Sequence, residues 1–305
     1  MQKIPVFIIA LKNSKRINIL KKRFKEVNIK FKIIYGINGN LFLKKKKLHL
    51  IYEKHLTIKN IDRELSAPEI GAAASHLKVY GYLIKKKIKQ AIIAEDDVYP
   101  SKLLFEYIKN NFKVKNNQII SFYSSPSSSF LHKRVYKKIL NNKVGIYKFA
   151  THAFNCSCYQ INFHTCKEIV NLTNNKVSGL PDWPFLTFKN KIKLLTTLPF
   201  LSLTNDYGFS YLEKDRKKLL KSSHIIKKLF NKKLISYLRI PYYLSYIPYC
   251  IKYKNLEYYY EHYSKKYLVK LKNIFSHLYI DINKIHFDEN YYAEDLKKFV
   301  KKFKI

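Results

Sequence analysis

A chain of 305 residues with 47% apolar side chains is long enough for one large domain, or a domain with an appendage, and lies far from the disordered class. Its 59 basic and 21 acidic side chains give a formal net charge of +38, which favours polyanions and anionic membrane surfaces without naming either as a partner. Four cysteines are too few for a disulfide framework at this length, the sequence offers no uninterrupted apolar run of about 18 residues, and no stretch in it resembles a signal peptide, so none is expected.

A reducing cytoplasm is therefore the expected compartment. The charge is spread along the chain: residues 217–305 carry +13 and residues 1–216 carry +25. Heavy use of Lys, Ile, Asn, Tyr and Phe is also what an AT-rich genome produces without selection for a binding face.

In chain order, KIPVFIIAL (Lys3–Leu11) predicts a short buried strand, and the polar turn KNSKR follows it. Ile17, Leu20, Phe24 and Val27 recur at helical spacing, and KFKIIYGIN returns as a strand. Strand, helix and strand in this span form a βαβ unit, which implies a parallel sheet. Ligands on such sheets bind at the carboxyl ends of the strands, so Lys12–Arg16 is a candidate site. Arg16 stands where the helix begins, the unfavourable end for a cation unless an anion is near.

Ser66 and Glu69 have capping-box spacing, and Pro68 fits a first helical turn. Ile70, Ala74, Leu77, Gly81, Ile84 and Ile88 then trace a buried helical stripe. Gly71–Ser75 is unusually small and permits close approach by a neighbouring element or a ligand. The next strand, AIIAEDDV, ends in three adjacent acids, Glu95, Asp96 and Asp97. Such a cluster beside an apolar strand implies a positive partner, because like charges and desolvation both oppose it. A divalent cation with oxygen ligands suits it, and in an extended strand Glu95 and Asp97 share one face. Capping of a following helix, or pairing with lysines, explains the same acids structurally.

QIISFYSS, VGIYKFA and FNCSCYQIN predict further strands, with a helix over about His164 to Leu172. Cys156, Cys158, His164 and Cys166 can be drawn as a metal site, but strand alternation explains the Cys-x-Cys pair better than zinc-ligand spacing does. Past Arg216 the texture becomes basic and tyrosine-rich. This stretch fits a helical extension, either held at a membrane interface or packed on the preceding domain.

The run EIGAAASHLKVYGYLIKKKIKQAIIAEDDV resembles the hallmark of glycosyltransferase family 25, the lipooligosaccharide-biosynthesis galactosyltransferases and their relatives. Glu69, Ile70, Gly71, Ser75 and His76 match it, as do Glu95, Asp96, Asp97 and Val98. Leu11, Ser14 and Arg16 resemble the family's opening turn, with Ala10 departing from the usual Asn, and LPDWP and the Pro199–Arg216 stretch are looser matches. The resemblance implies a GT-A-like, Rossmann-type nucleotide-sugar-binding domain over residues 1–216, followed by the basic extension over 217–305.

It also implies transfer of a hexose, galactose from UDP-galactose foremost, onto a lipooligosaccharide or lipopolysaccharide core, with inversion. In family terms Asp97 and Glu95 hold Mn²⁺ or Mg²⁺, and Leu11, Arg16, Glu69, Ser75, His76 and Asp96 contact the nucleotide sugar. Asp182 is the candidate base, with a helix N-cap as its structural reading, and Trp183 stacks on a sugar. The expected location is the cytoplasmic side of the inner membrane, with the basic extension against anionic lipid. The competing class is a basic nucleic-acid-binding protein or metal-dependent nuclease. No zinc-finger, RRM or KH signature supports a binding protein, and the clustered acids would repel a phosphate backbone; a metal-dependent nuclease answers that objection, but the family motif does not point there.

Overall fold

The computed structural model describes residues 3–44, 51–52, 65–124, 130–149, 155–174, 176–177, 192–204, 279–282 and 288–303. The first half contains β1 (Val6–Ala10), α1 (Ile17–Glu26), β2 (Lys32–Tyr35), α2 (Gly39–Lys44), β3 (Ile51–Tyr52), α3 (Ala67–Lys85), β4 (Gln90–Glu95), β5 (Val98–Pro100) and α4 (Lys102–Lys109). There follow β6 (Gln118–Ser121), β7 (Phe130–His132), β8 (Lys137–Ile139), β9 (Val144–Lys148), β10 (Cys158–Asn162) and α5 (Phe163–Thr173). Last come β11 (Lys176–Val177), β12 (Lys193–Leu198), β13 (Ser202–Thr204), β14 (Tyr279–Asp281), a 3₁₀ turn (Glu289–Tyr291) and α6 (Glu294–Phe303).

Eight strands form one sheet in the order β2-β1-β4-β10-β6-β12-β9-β8. The βαβ reading holds, since β1 pairs in parallel with both β2 and β4, and β6 is parallel to β12. The sheet as a whole is mixed: β10 runs antiparallel between β4 and β6, and β9 runs antiparallel to β12. A strand's own apolar pattern does not encode its neighbour's direction, so the antiparallel partners had no sign in the sequence. Every residue of β1 and β10 is buried, as befits strands covered on both faces.

Side-chain alternation divides the interior in two. Phe7, Ile9 and Ile93 face Val79, Tyr80, Leu83, Cys166 and Ile169 from α3 and α5. Val6, Ile8, Ile92 and Ala94 face Leu20, Phe24, Leu104 and Ile108 from α1 and α4. Helices on both faces of a central sheet make an α/β layer architecture of the Rossmann-like kind.

The small-residue run of α3 has a specific purpose. A side chain at Gly71 would place Cβ 2.6 Å from the Ile37 carbonyl oxygen, and one at Gly39 would strike the Ala67 carbonyl. The loop after β2 therefore lies flat on the first turns of α3, where only glycine fits. Ser75 fixes that contact: its hydroxyl donates to the Gly71 carbonyl at 2.6 Å and accepts the Ile37 N–H at 2.7 Å.

The end of the chain returns to the core. Tyr292, Ala293, Leu296 and Val300 are buried with residues of the sheet and α3. Phe200 and this segment exchange backbone hydrogen bonds, Phe200 N–H to the Tyr291 carbonyl at 2.7 Å and Ala293 N–H to the Phe200 carbonyl at 3.0 Å. Asp295 accepts the Lys102 N–H at 2.8 Å, answering a donor that the first turn of α4 leaves open. Residues 205–278, most of the expected helical extension, lie outside the described residues.

Candidate active site at the carboxyl ends of β1 and β4

Register determines what meets at this edge of the sheet. Ile9 lies beside Glu95 in the parallel β1–β4 pair, so the turn after β1 and the acids after β4 leave the sheet side by side. Antiparallel β10 begins at the same end, with Cys158 opposite Ala94 and the Ser157 carbonyl accepting the Glu95 N–H at 2.7 Å. Three segments far apart in sequence thus converge at the edge where α/β sheets bind ligands.

The acids do not continue the strand. β4 stops at Glu95 and the chain turns at Asp96 and Asp97 before β5, so the shared-face geometry expected for Glu95 and Asp97 does not form. Instead the carboxylates part. Arg16 Nη1 lies 3.4 Å from Asp96 Oδ1 and 3.6 Å from Asp97 Oδ2, and the Ser14 hydroxyl donates to Asp96 Oδ2 at 2.5 Å. Arg16 stands at the N-cap of α1, so the anions that this placement called for are present. All three side chains of the ion pairs keep some exposure, and such pairs contribute about 0–1 kcal/mol to stability. Their importance is the placement of charge.

Behind them sits Arg23, buried on the face of Tyr99 with its guanidinium carbon 3.2 Å from the ring centroid. Its Nη1 donates to the Val98 carbonyl at 3.3 Å. Burial lowers its pKa, although Tyr99 and Asp97 oppose that shift. This second cation behind the acid turn had no sign in the sequence beyond its helical position.

Glu95 faces the other way. Its Oε1 lies 3.1 Å from His76 Nε2 and 3.6 Å from the Cys156 sulfur. His76 is held through Nδ1 by the Tyr159 hydroxyl at 2.7 Å, which in turn meets the Tyr80 hydroxyl at 2.6 Å. Burial alone would raise the Glu95 carboxyl, but the His76 hydrogen bond and charge, the Cys156 thiol and Arg16 outweigh it and hold the group below its ordinary value. Burial, with Glu95 and Asp97 nearby, pushes the Cys156 thiol well above its usual value.

Of the residues singled out by sequence, Arg16, Glu95, Asp96, Asp97 and His76 gather at this edge. Leu11 is exposed at the exit of β1. Glu69 is turned into the helix cap, its Oε2 accepting the Ser66 N–H at 2.9 Å and the Ser66 hydroxyl at 3.0 Å. With Ser75 bonded to the loop after β2, both have evident architectural tasks. Asp182 and Trp183 lie outside the described residues. Tyr159 and Tyr80 were not singled out, and Cys156 was weighed only within the drawn cysteine set: it reads as one of an alternating strand pair, whereas the strand begins two residues later. The drawn cysteine site does not form, since Cys156 and Cys158 belong to opposite faces of the sheet.

Paired carboxylates and an arginine thus stand together at the carboxyl ends of parallel strands in an α/β sheet. The family model described as glycosyltransferase family 25, LPS biosynthesis protein, matches residues 3–182. The chain belongs to that family and is a glycosyltransferase of lipopolysaccharide biosynthesis. No curated protein matches the chain. No helix among the described residues is long and apolar enough to cross a membrane.

Proposed function

We propose that the enzyme moves a hexose, galactose from UDP-galactose foremost, onto a lipooligosaccharide or lipopolysaccharide core in a GT-A-like active site. The observation that carries this reading is the meeting of Ser14, Arg16, Asp96 and Asp97 at the carboxyl ends of β1 and β4, inside the family-matched segment. Transfer breaks the bond from the sugar's anomeric carbon to the diphosphate, and the acceptor hydroxyl forms the new one. With inversion, a carboxylate takes the hydroxyl proton as the diphosphate leaves, and Asp182 is the proposed base. Arg16 pairs with the acid turn and answers charge on the departing diphosphate. Trp183 is the proposed platform for a sugar face.

A bound Mn²⁺ or Mg²⁺ would neutralise the diphosphate as a Lewis acid. The donor chemistry fits at Asp97 and its neighbour Asp96, which offer carboxylate oxygens at the rim. Glu95 fits a hard cation less well, because its Oε1 faces a nitrogen and a sulfur. The basic surface would keep the enzyme at the anionic cytoplasmic leaflet, beside its acceptor. Hydrolysis of a panel of UDP-sugars with and without Mn²⁺ tests the proposal. UDP-galactose should turn over fastest and only with the cation. Failure to bind or hydrolyse any UDP-sugar, together with salt-sensitive binding to an arbitrary duplex, would replace it with a nucleic-acid function.

A further inference from the structure

Among the described residues, one set of three potential ligand side chains gathers within 4.8 Å: His76, Glu95 and Cys156. Their ligand atoms are separated by 3.1 Å (Nε2 to Oε1), 3.6 Å (sulfur to Oε1) and 3.7 Å (sulfur to Nε2). A tetrahedral zinc ion, with bonds of about 2.0–2.1 Å to nitrogen and oxygen and about 2.3 Å to sulfur, requires ligand separations of about 3.3–3.6 Å. The three atoms already stand at nearly those separations. From this geometry we propose that His76, Glu95 and Cys156 form a binding site for a borderline divalent cation of the zinc class, with a fourth position open toward the rim.

Three further features support it. The ligand set is charge-balanced: a carboxylate and a thiolate with a neutral imidazole cancel a dication, which matters at a site where His76 and Cys156 are almost fully buried. The imidazole is oriented from behind, since Tyr159 engages Nδ1 and leaves Nε2 directed at the other two ligands. Such outer partners fix the tautomer of metal-bound histidines. Either hydroxyl of the Tyr80–Tyr159 pair can donate, so the chain of bonds can reverse and accept an N–H from Nδ1. Finally, Glu95 retains partial exposure and provides a route in. Without a cation the thiol keeps its proton, and binding expels that proton to solvent. The site differs in kind from an all-oxygen magnesium site, because nitrogen and sulfur select zinc, cobalt or cadmium over magnesium.

The test is binding, not sugar transfer, so it stands apart from the activity proposed above. Tag-free, full-length, reduced protein is stripped with chelator and titrated with Co²⁺. One equivalent should bind with a thiolate-to-cobalt charge-transfer band, be displaced by one equivalent of Zn²⁺, and persist in excess Mg²⁺. Cys156→Ser should abolish the band and weaken Zn²⁺ binding at least about 100-fold, Tyr159→Phe should weaken it about 10-fold, and Cys166→Ala should leave it intact. X-ray absorption of the wild-type zinc complex should resolve one sulfur among the ligands, a result that needs no variant to fold. A folded wild type with no charge-transfer band, a band that survives Cys156→Ser, or a zinc shell without sulfur would each overturn the site.

Discussion

On one side of the peptide joining Glu95 to Asp96, two carboxylates sit near the rim, pair with Arg16 and offer oxygen donors. On the other side, one carboxylate points into a niche of imidazole, thiol and tyrosine hydroxyls. The acids are consecutive in sequence, but the strand ends between them and the turn sends their side chains to different partners. Adjacency in a motif therefore does not mean a shared ligand. The three acids present two different surroundings, an arginine and a hydroxyl at the rim and an imidazole and a thiol within.

Four measurements would break or sharpen this contrast. The largest effect is expected at the rim: Asp97→Asn should lower turnover on the order of 10³-fold with the fold intact by circular dichroism, and near-normal turnover with saturating Mn²⁺ would remove Asp97 from the chemistry. Arg16→Gln should cost about 100-fold, chiefly in turnover, while removing the guanidinium paired with both carboxylates. A change in donor KM alone would make Arg16 a binding residue.

The niche should instead show itself in stability. The folded-state pKa of Glu95 is held below its ordinary value, so its contribution is fully present above the unfolded value of about 4.3 and is lost as pH falls through the folded value. Urea unfolding of wild type and Glu95→Gln should differ by a constant amount near neutrality and converge in acid. A gap that persists at the lowest pH would mean that charge is not the cause. The smallest effect belongs to Tyr159→Phe, which removes the hydroxyl between His76 and Tyr80 and should cost about 1–3 kcal/mol with little change in turnover.

Much of this was legible in the sequence because it is local. The βαβ start, the capped α3, the acid-ending β4 and the glycine-dependent packing of α3 all follow from periodicity, capping residues and side-chain size. The charge at Arg16 was readable too, since a cation at a helix start asks for an anion. What escaped depends on pairing between distant segments. Nothing in FNCSCYQIN tells that its strand runs antiparallel beside β4, and only that pairing brings Cys156 to Glu95 and Tyr159 to His76. The end of β4 at Glu95 was equally hidden, because Asp96 and Asp97 prolong the motif without prolonging the strand.

Residues 288–303 carry a consequence for how the protein is made. Phe200, fully buried, rests its ring on Tyr292, and the first turn of α4 waits for Asp295. A nascent polypeptide still on the ribosome at residue 280 lacks these contacts and leaves an oily seam beside a sheet whose strands have all been synthesised. Folding should finish only once residues 288–303 have been made, and a chain stopped short of α6 should be bound by chaperones or degraded even though its family-matched segment is complete.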